Sequence, residues 1–125
     1  MRVRFTRAEF ERHVEKAIEA LPQEFRERME NLAVVVEELP SAGLLKTLDE
    51  PARDLLGLFV GTPLPEKSIE DLPQPPDTVY LFKHNLEVIC ATREELIEEI
   101  RITLLHEVGH FLGLQEEQLE ELGYE

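Results

Sequence analysis

The stretch Leu104–Gln118, LLHEVGHFLGLQEEQ, contains the pattern His-Glu-x-x-His from His106 to His110. In a helix, residues four positions apart stand one turn apart on the same face. Two imidazoles placed in this way can both bind one zinc ion, at roughly 2.0–2.1 Å. Glu107 is rotated away from the pair, so it is better placed to accept a proton from water than to bind the same ion. The stretch therefore predicts a helix that supplies two metal ligands and a base.

A catalytic zinc site needs a third protein ligand and one open position. Gly113 follows the motif, and glycine adopts positive φ without a Cβ clash, so the chain can reverse there. The reversal would bring residues 115–117 back beneath the histidines. Glu116 and Glu117 both carry a carboxylate in that segment. The spacing alone leaves both open as the third ligand.

Two capping boxes, Thr6–Glu9 and Thr92–Glu95, predict helices that begin at Arg7 and just after Thr92. The second helix should be long and end at Leu112. Five of the eight prolines fall between residues 62 and 76, which predicts an irregular loop. The nearly continuous apolar run at 32–37 predicts a buried strand, and further strands are predicted at 55–60 and 78–82. Residues 115–122 predict a last short helix. We expect an α+β fold with a three- to four-stranded sheet and helices on one side.

The composition is that of one acidic domain over residues 1–125. A net charge of −14 disfavours binding to nucleic acid and to anionic membranes. Cys90 is the only cysteine, so no internal disulfide can form, and no signal-type segment or long apolar run occurs. We therefore expect a cytoplasmic protein. The Glu- and Arg-rich bias resembles that of thermophilic proteins.

The segment HEVGHFLGLQE resembles the HExxHxxGxx(H/D) signature of metzincin-type zinc peptidases, with Glu116 in the third-ligand position. The run 78–124 is similar to a family of small bacterial minimal metalloprotease-like zincins, which carry HExxHxxGxx(D/E)E near the C-terminus. The resemblance implies a zincin-like fold and a Zn²⁺ cofactor. Carried over by position, it makes His106, His110 and Glu116 the ligands and Glu107 the general base. It also suggests a member from a thermophilic bacterium.

The resemblance has two departures. The third-ligand position holds Glu where metzincins usually have His, and the methionine turn is missing, because Met1 and Met29 lie far upstream. The implied function is hydrolysis of peptide bonds by a metal-activated water, with a peptide or protein substrate lying along the strand at 55–60. The alternatives are a non-catalytic protein-binding module with a structural or absent metal, and a hydrolase of other substrates. Cobalt, nickel or manganese could replace zinc.

Several other residues could be taken for site residues by their chemistry. His13 and His84 could be ligands, but lone surface histidines are expected. Cys90 is expected to be a small buried apolar side chain rather than a thiolate that blocks the metal. Tyr80 and Tyr124 are candidates to stabilise an oxyanion by residue type only.

Overall fold

The computed structural model describes residues 3–46, 48, 54–66 and 77–121. These residues form a small mixed sheet and six α-helices, with a 3-10 turn at Leu64–Glu66. The elements are α1 (Arg7–Glu19), α2 (Gln23–Glu27), β1 (Leu32–Glu37), α3 (Ala42–Lys46), β2 (Gly57–Val60), β3 (Asp77–Phe82), α4 (Lys83–Val88), α5 (Arg93–Leu112) and α6 (Glu116–Glu121). The expected α+β class is confirmed, as are the start of α1 and the end of α5.

The starts of α1 and α5 are fixed by threonine caps. Thr6 accepts the Glu9 N–H at 3.1 Å and donates its own N–H to the Glu9 carboxylate at 3.0 Å, which completes the capping box. Thr92 accepts the Glu95 N–H at 3.1 Å, but the Glu95 carboxylate accepts the N–H of Ala91 instead. The predicted second capping box is therefore incomplete: Thr92 caps the start of α5, but the Glu95 carboxylate binds Ala91 rather than Thr92.

The sheet has the strand order β1-β3-β2. The central strand β3 pairs parallel with β1 and antiparallel with β2. Along β3, Val79 and Leu81 are fully buried, whereas Thr78 and Tyr80 are only half-buried. This alternation shows that one face of the sheet packs on the core and the other is less covered. The strand predicted at 55–60 is thus an edge strand, β2, in the described part of the chain.

The long helix α5 contacts α1, α4, β2 and β3, and so forms the centre of the core. Its buried apolar side chains lie at helical spacing and include Leu96, Ile100, Leu104, Val108 and Phe111. Ile97 is 38% exposed because it lies about 100° around the helix from its buried neighbour Leu96. No helix among the described residues is long and apolar enough to cross a membrane.

Some local expectations were wrong. The segment 32–37 was predicted to be a buried strand, but only Val36 is buried, because β1 lies at an edge of the sheet. Two short helices, α3 and α4, were not expected, since five or six residues are too few to show a helical period. The predicted loop at 62–76 includes the 3-10 turn, and residues 67–76 lie outside the described residues.

Candidate metal centre

His106 and His110 lie near the end of α5, on the face that their spacing predicts. Their ring centroids are 4.3 Å apart, with the ring planes at 71° to each other. His106 is half-buried and His110 is exposed. With Glu107 they form a group of side chains, among the described residues, that could hold a metal ion, with possible donor atoms within 4.8 Å of one another.

Glu116 approaches both histidines because the chain reverses after α5. Gly113 ends the helix with φ at 77°, and its N–H donates to the carbonyls of Gly109 and His110. Glu116 Oε1 then lies 3.8 Å from Nε2 of His106 and 4.0 Å from Nε2 of His110. One carboxylate oxygen therefore faces both imidazole nitrogens, in the geometry expected for the third ligand. Its role as a ligand stays a prediction.

Of the two carboxylates left open by the spacing, the structure places only Glu116 beside the histidines. Glu117 is exposed and forms no ion pair with either histidine among the described residues. Adjacent side chains of a helix point about 100° apart, so Glu117 is turned away from the histidines that Glu116 faces.

The helix α6 is held against α5 by Leu119, which is fully buried. A Cβ added at Gly109 would lie 2.3 Å from Leu119 Cδ2. Only a glycine at this position of α5 allows α6 to come so close. Gly109 lies between the two histidines in the motif, and its missing side chain helps to set the position of Glu116. The motif pattern alone did not reveal this role, although a glycine inside a predicted helix is a known signal of close packing.

Glu107 points toward the edge strand rather than to solvent. Its Oε1 accepts the N–H of Phe59, on β2, at 2.9 Å and lies 3.4 Å from Nδ1 of His110. A hydrogen bond between His110 and the Glu107 carboxylate raises the pKa of His110, against the opposing effect of burial. The part played by Phe59 could not be found from the sequence, because any residue type other than proline carries a backbone N–H.

Gly57 allows β2 to lie directly on α5. A Cβ added there would be 2.7 Å from Thr103 Cγ2, 3.0 Å from the carbonyl oxygen of Tyr80 and 3.2 Å from Glu107 Cγ. The strand and the helix thus meet without an intervening side chain, which brings the edge of the sheet next to Glu107. In the sequence, Gly57 is recognisable only as part of the strand predicted at 55–60.

Comparison with known proteins agrees with this arrangement. A family model described as "Zincin-like metallopeptidase" matches residues 29–124. The chain belongs to this family. A solved structure of a conserved hypothetical protein from Thermus thermophilus matches with a TM-score of 0.51 and 24% identity, over 94% of this chain and 97% of that one. At this identity the likeness shows the fold alone. No curated protein matches the chain.

Membership of the zincin-like family implies a metal ion, usually zinc, and the residues present fit one. Two ligand atoms of one tetrahedral zinc ion, each at roughly 2.0–2.1 Å, lie about 3.4 Å apart. The two distances from Glu116 Oε1 are slightly longer than this, and its side chain is 61% exposed, so rotation can close them. Two imidazole nitrogens and one carboxylate oxygen are also a donor set that zinc uses in catalytic sites.

The other residues considered from the sequence lie elsewhere in this zincin-like fold or outside its described part. His13 is on α1 and His84 on α4, and neither belongs to the metal-ligating group. Cys90 is buried as expected, and burial raises the pKa of its thiol to about 11. Tyr80 lies on β3, and Tyr124 lies outside the described residues, so no oxyanion stabiliser is assigned.

Proposed function

We propose that this member of the zincin-like family is a zinc-dependent metallopeptidase that hydrolyses peptide bonds. The observation that carries the proposal is the joint position of Glu116 and Glu107. One carboxylate faces the Nε2 atoms of both histidines, and the other lies beside them and points toward an edge strand. A purely structural metal site would use the carboxylate of Glu116 and would have no need of the carboxylate of Glu107.

His106, His110 and Glu116 would hold the ion. When bound, zinc supplies a Lewis acid that lowers the pKa of a water molecule toward about 7 and polarises a substrate carbonyl. Glu107 accepts the proton of the attacking water and then delivers it to the leaving amine. Its low exposure and its hydrogen bond to Phe59 hold the carboxylate in one orientation for both transfers.

A peptide substrate would lie extended along β2, which is an edge strand in the described sheet. The carbonyl of Leu56, just before β2, accepts the N–H of Phe82 on β3. The main-chain groups of Leu56 and Leu58 therefore face β3, and those of Gly57 and Phe59 face outward. Apart from the N–H of Phe59, which Glu107 accepts, the outward main-chain groups can pair with an added strand. The base Glu107 lies at the same edge, so a bound peptide would pass directly beside it.

A second candidate function is a non-catalytic protein-binding module. The observation that favours it is the hydrogen bond from Phe59 to Glu107, because it gives the carboxylate a structural task that needs no chemistry. A hydrolase acting on something other than a peptide is a third candidate with the same residues.

The first test is metal content. The wild type, His106→Ala and the matched control His84→Ala are loaded with zinc, dialysed and measured by elemental analysis. We expect one zinc per chain in the wild type and in the control, and a loss of zinc in His106→Ala. A wild type that retains no zinc would contradict the proposed site.

The second test is hydrolysis of a mixed peptide library by the zinc-loaded chain. We expect cleavage by the wild type and a loss of about 10²-fold or more in Glu107→Gln, with zinc content unchanged. Full activity in Glu107→Gln would overturn the assignment of the base. Zinc binding with no cleavage of any peptide would favour the protein-binding module.

A further inference from the structure

A cavity of about 300 Å³ opens directly beside the candidate metal centre. One side of the cavity is formed by residues 55–57, at the start of β2 and just before it, and the other side by α5. Both His106 and Glu107 form part of its wall. The other side chains that matter here are Leu55, Leu56, Ile102, Thr103 and Glu99. A substrate held at the edge of β2 would therefore have one side chain next to this cavity.

The cavity runs along α5 from the metal-ligating end toward Glu99. Glu99, Thr103 and His106 follow one another at helical spacing, so they share one face of α5. Seven residues of α-helix rise about 10 Å. A long side chain that starts near the cleaved bond is thus needed to reach the Glu99 end.

The walls and the far end of the cavity differ in chemistry. Leu55, Leu56 and Ile102 make the walls apolar, whereas Glu99 adds a carboxylate. Glu99 is half-buried, and it forms no ion pair with a cation among the described residues. Its neighbour Glu98 is different, because it is exposed and pairs with Arg101 at the surface.

We propose that this cavity is a specificity pocket that accepts a lysine or arginine side chain next to the cleaved peptide bond, with Glu99 binding its cationic end. The inference rests on the proposed peptidase function. Lysine and arginine combine an apolar stem, which fits the leucine and isoleucine walls, with a charged end that a carboxylate binds. The net charge of −14 also attracts cationic peptides to the protein.

The test uses the zinc-loaded full chain and peptides that differ only at the residue on one or the other side of the cleaved bond. That residue is arginine, lysine, norleucine or glutamate. Norleucine keeps the apolar stem of lysine and lacks its charge. We expect kcat/KM for lysine and arginine to exceed that for norleucine by about 5-fold, the scale of a partly exposed charge pair.

The variants distinguish the effect of Glu99 on substrate preference from the effect of the overall negative charge of the helix. In Glu99→Gln we expect the preference for lysine over norleucine to fall to about one, and in Glu99→Lys the glutamate peptide should become the better substrate. Glu94→Gln removes the same charge from an exposed position of the same helix and should keep the wild-type preference. A wild type without preference, or a preference unchanged in Glu99→Gln, would overturn the proposal.

Failure of the peptidase function gives a different result from failure of the pocket. If the zinc-loaded chain cleaves no peptide, the fluorescent lysine and norleucine peptides are titrated against it and binding is followed by anisotropy. Tighter binding of the lysine peptide, lost in Glu99→Gln and kept in Glu94→Gln, would support the pocket and contradict the peptidase. Equal binding of the two peptides would overturn the pocket as well.

Discussion

The backbone N–H of Phe59 donates a hydrogen bond of 2.9 Å to Oε1 of Glu107, and so joins the edge strand β2 to the helix α5. The two residues are 48 positions apart in the chain. Glu107 is only 8% exposed, so its carboxylate gains more from this hydrogen bond than an exposed carboxylate would. The orientation of the proposed base is therefore set by the sheet and not only by the helix that carries it.

Replacing Glu107 by alanine should destabilise the metal-free protein more than replacing it by glutamine. Alanine leaves the partly buried N–H of Phe59 without an acceptor, which costs about 1–3 kcal/mol. Glutamine keeps an acceptor oxygen and should cost less than about 1 kcal/mol. Urea unfolding, followed by circular dichroism, measures the difference. Equal free energies of unfolding for the two variants would show that the hydrogen bond contributes nothing.

Substituting alanine for Gly57 should push β2 away from α5. The new Cβ would overlap Thr103 Cγ2 and crowd Glu107, so we expect a loss of about 1–3 kcal/mol in the free energy of unfolding. Gly43→Ala is the matched control, because a Cβ there meets nothing within 4 Å. Adding Thr103→Ser to Gly57→Ala removes the overlapping methyl and should restore part of the loss. A Gly57→Ala variant as stable as the control would contradict the close packing.

Substituting alanine for Gly109 should weaken zinc binding without changing a ligand. The Cβ would lie 2.3 Å from Leu119 Cδ2, which forces α6 and Glu116 away from the histidines. We expect the dissociation constant for zinc, from competition with a chelating dye, to rise by about 10-fold. In this background Glu116→Gln should cost less affinity than in the wild type, since the carboxylate is already displaced. Fully additive losses would argue against this coupling.

The contribution of Glu9 to stability should disappear in acid. The hydrogen bond from the Thr6 N–H, followed by the contact with Arg93, lowers the pKa of Glu9 from 4.5 to about 2. The unfolded chain therefore binds the proton more tightly, and the stabilisation is present above pH 4.5 and lost as the pH falls toward 2. The stability difference between the wild type and Glu9→Gln should be larger at pH 6 than at pH 2.5. Glu15→Gln, on the exposed side of the same helix, is the control.

The thiol of Cys90 should react slowly in the folded protein. Burial, with a smaller effect of the nearby Glu99 and Glu95 carboxylates, raises its pKa to about 11. Because only the thiolate is nucleophilic, we expect little alkylation by iodoacetamide at pH 8 until urea unfolds the chain. Mass spectrometry counts the modified fraction. Rapid labelling of the native protein would show that this region opens, or that the thiolate forms more easily than its surroundings imply.

The helix boundaries that position the centre follow from local chemistry. Thr6 and Thr92 cap the two main helices, and Gly113 ends the second in the left-handed conformation. Within that helix the spacing of His106 and His110 places both rings on one face. Each of these relationships involves residues within one or two helical turns. A local pattern in the sequence is therefore enough to predict them.

The sequence by itself thus determined the class of fold, the two main helices and the pair of histidines. Glu116 was chosen over Glu117 by the family resemblance, and the structure places it beside the histidines. The tertiary structure alone decided that Phe59 holds Glu107 and that Glu99 lies in a cavity wall. These features depend on how closely β2 and α6 pack on α5. These contacts depend on the lack of a side chain at Gly57 and Gly109 and on a backbone group, the N–H of Phe59. Neither leaves a periodic signal in a single sequence.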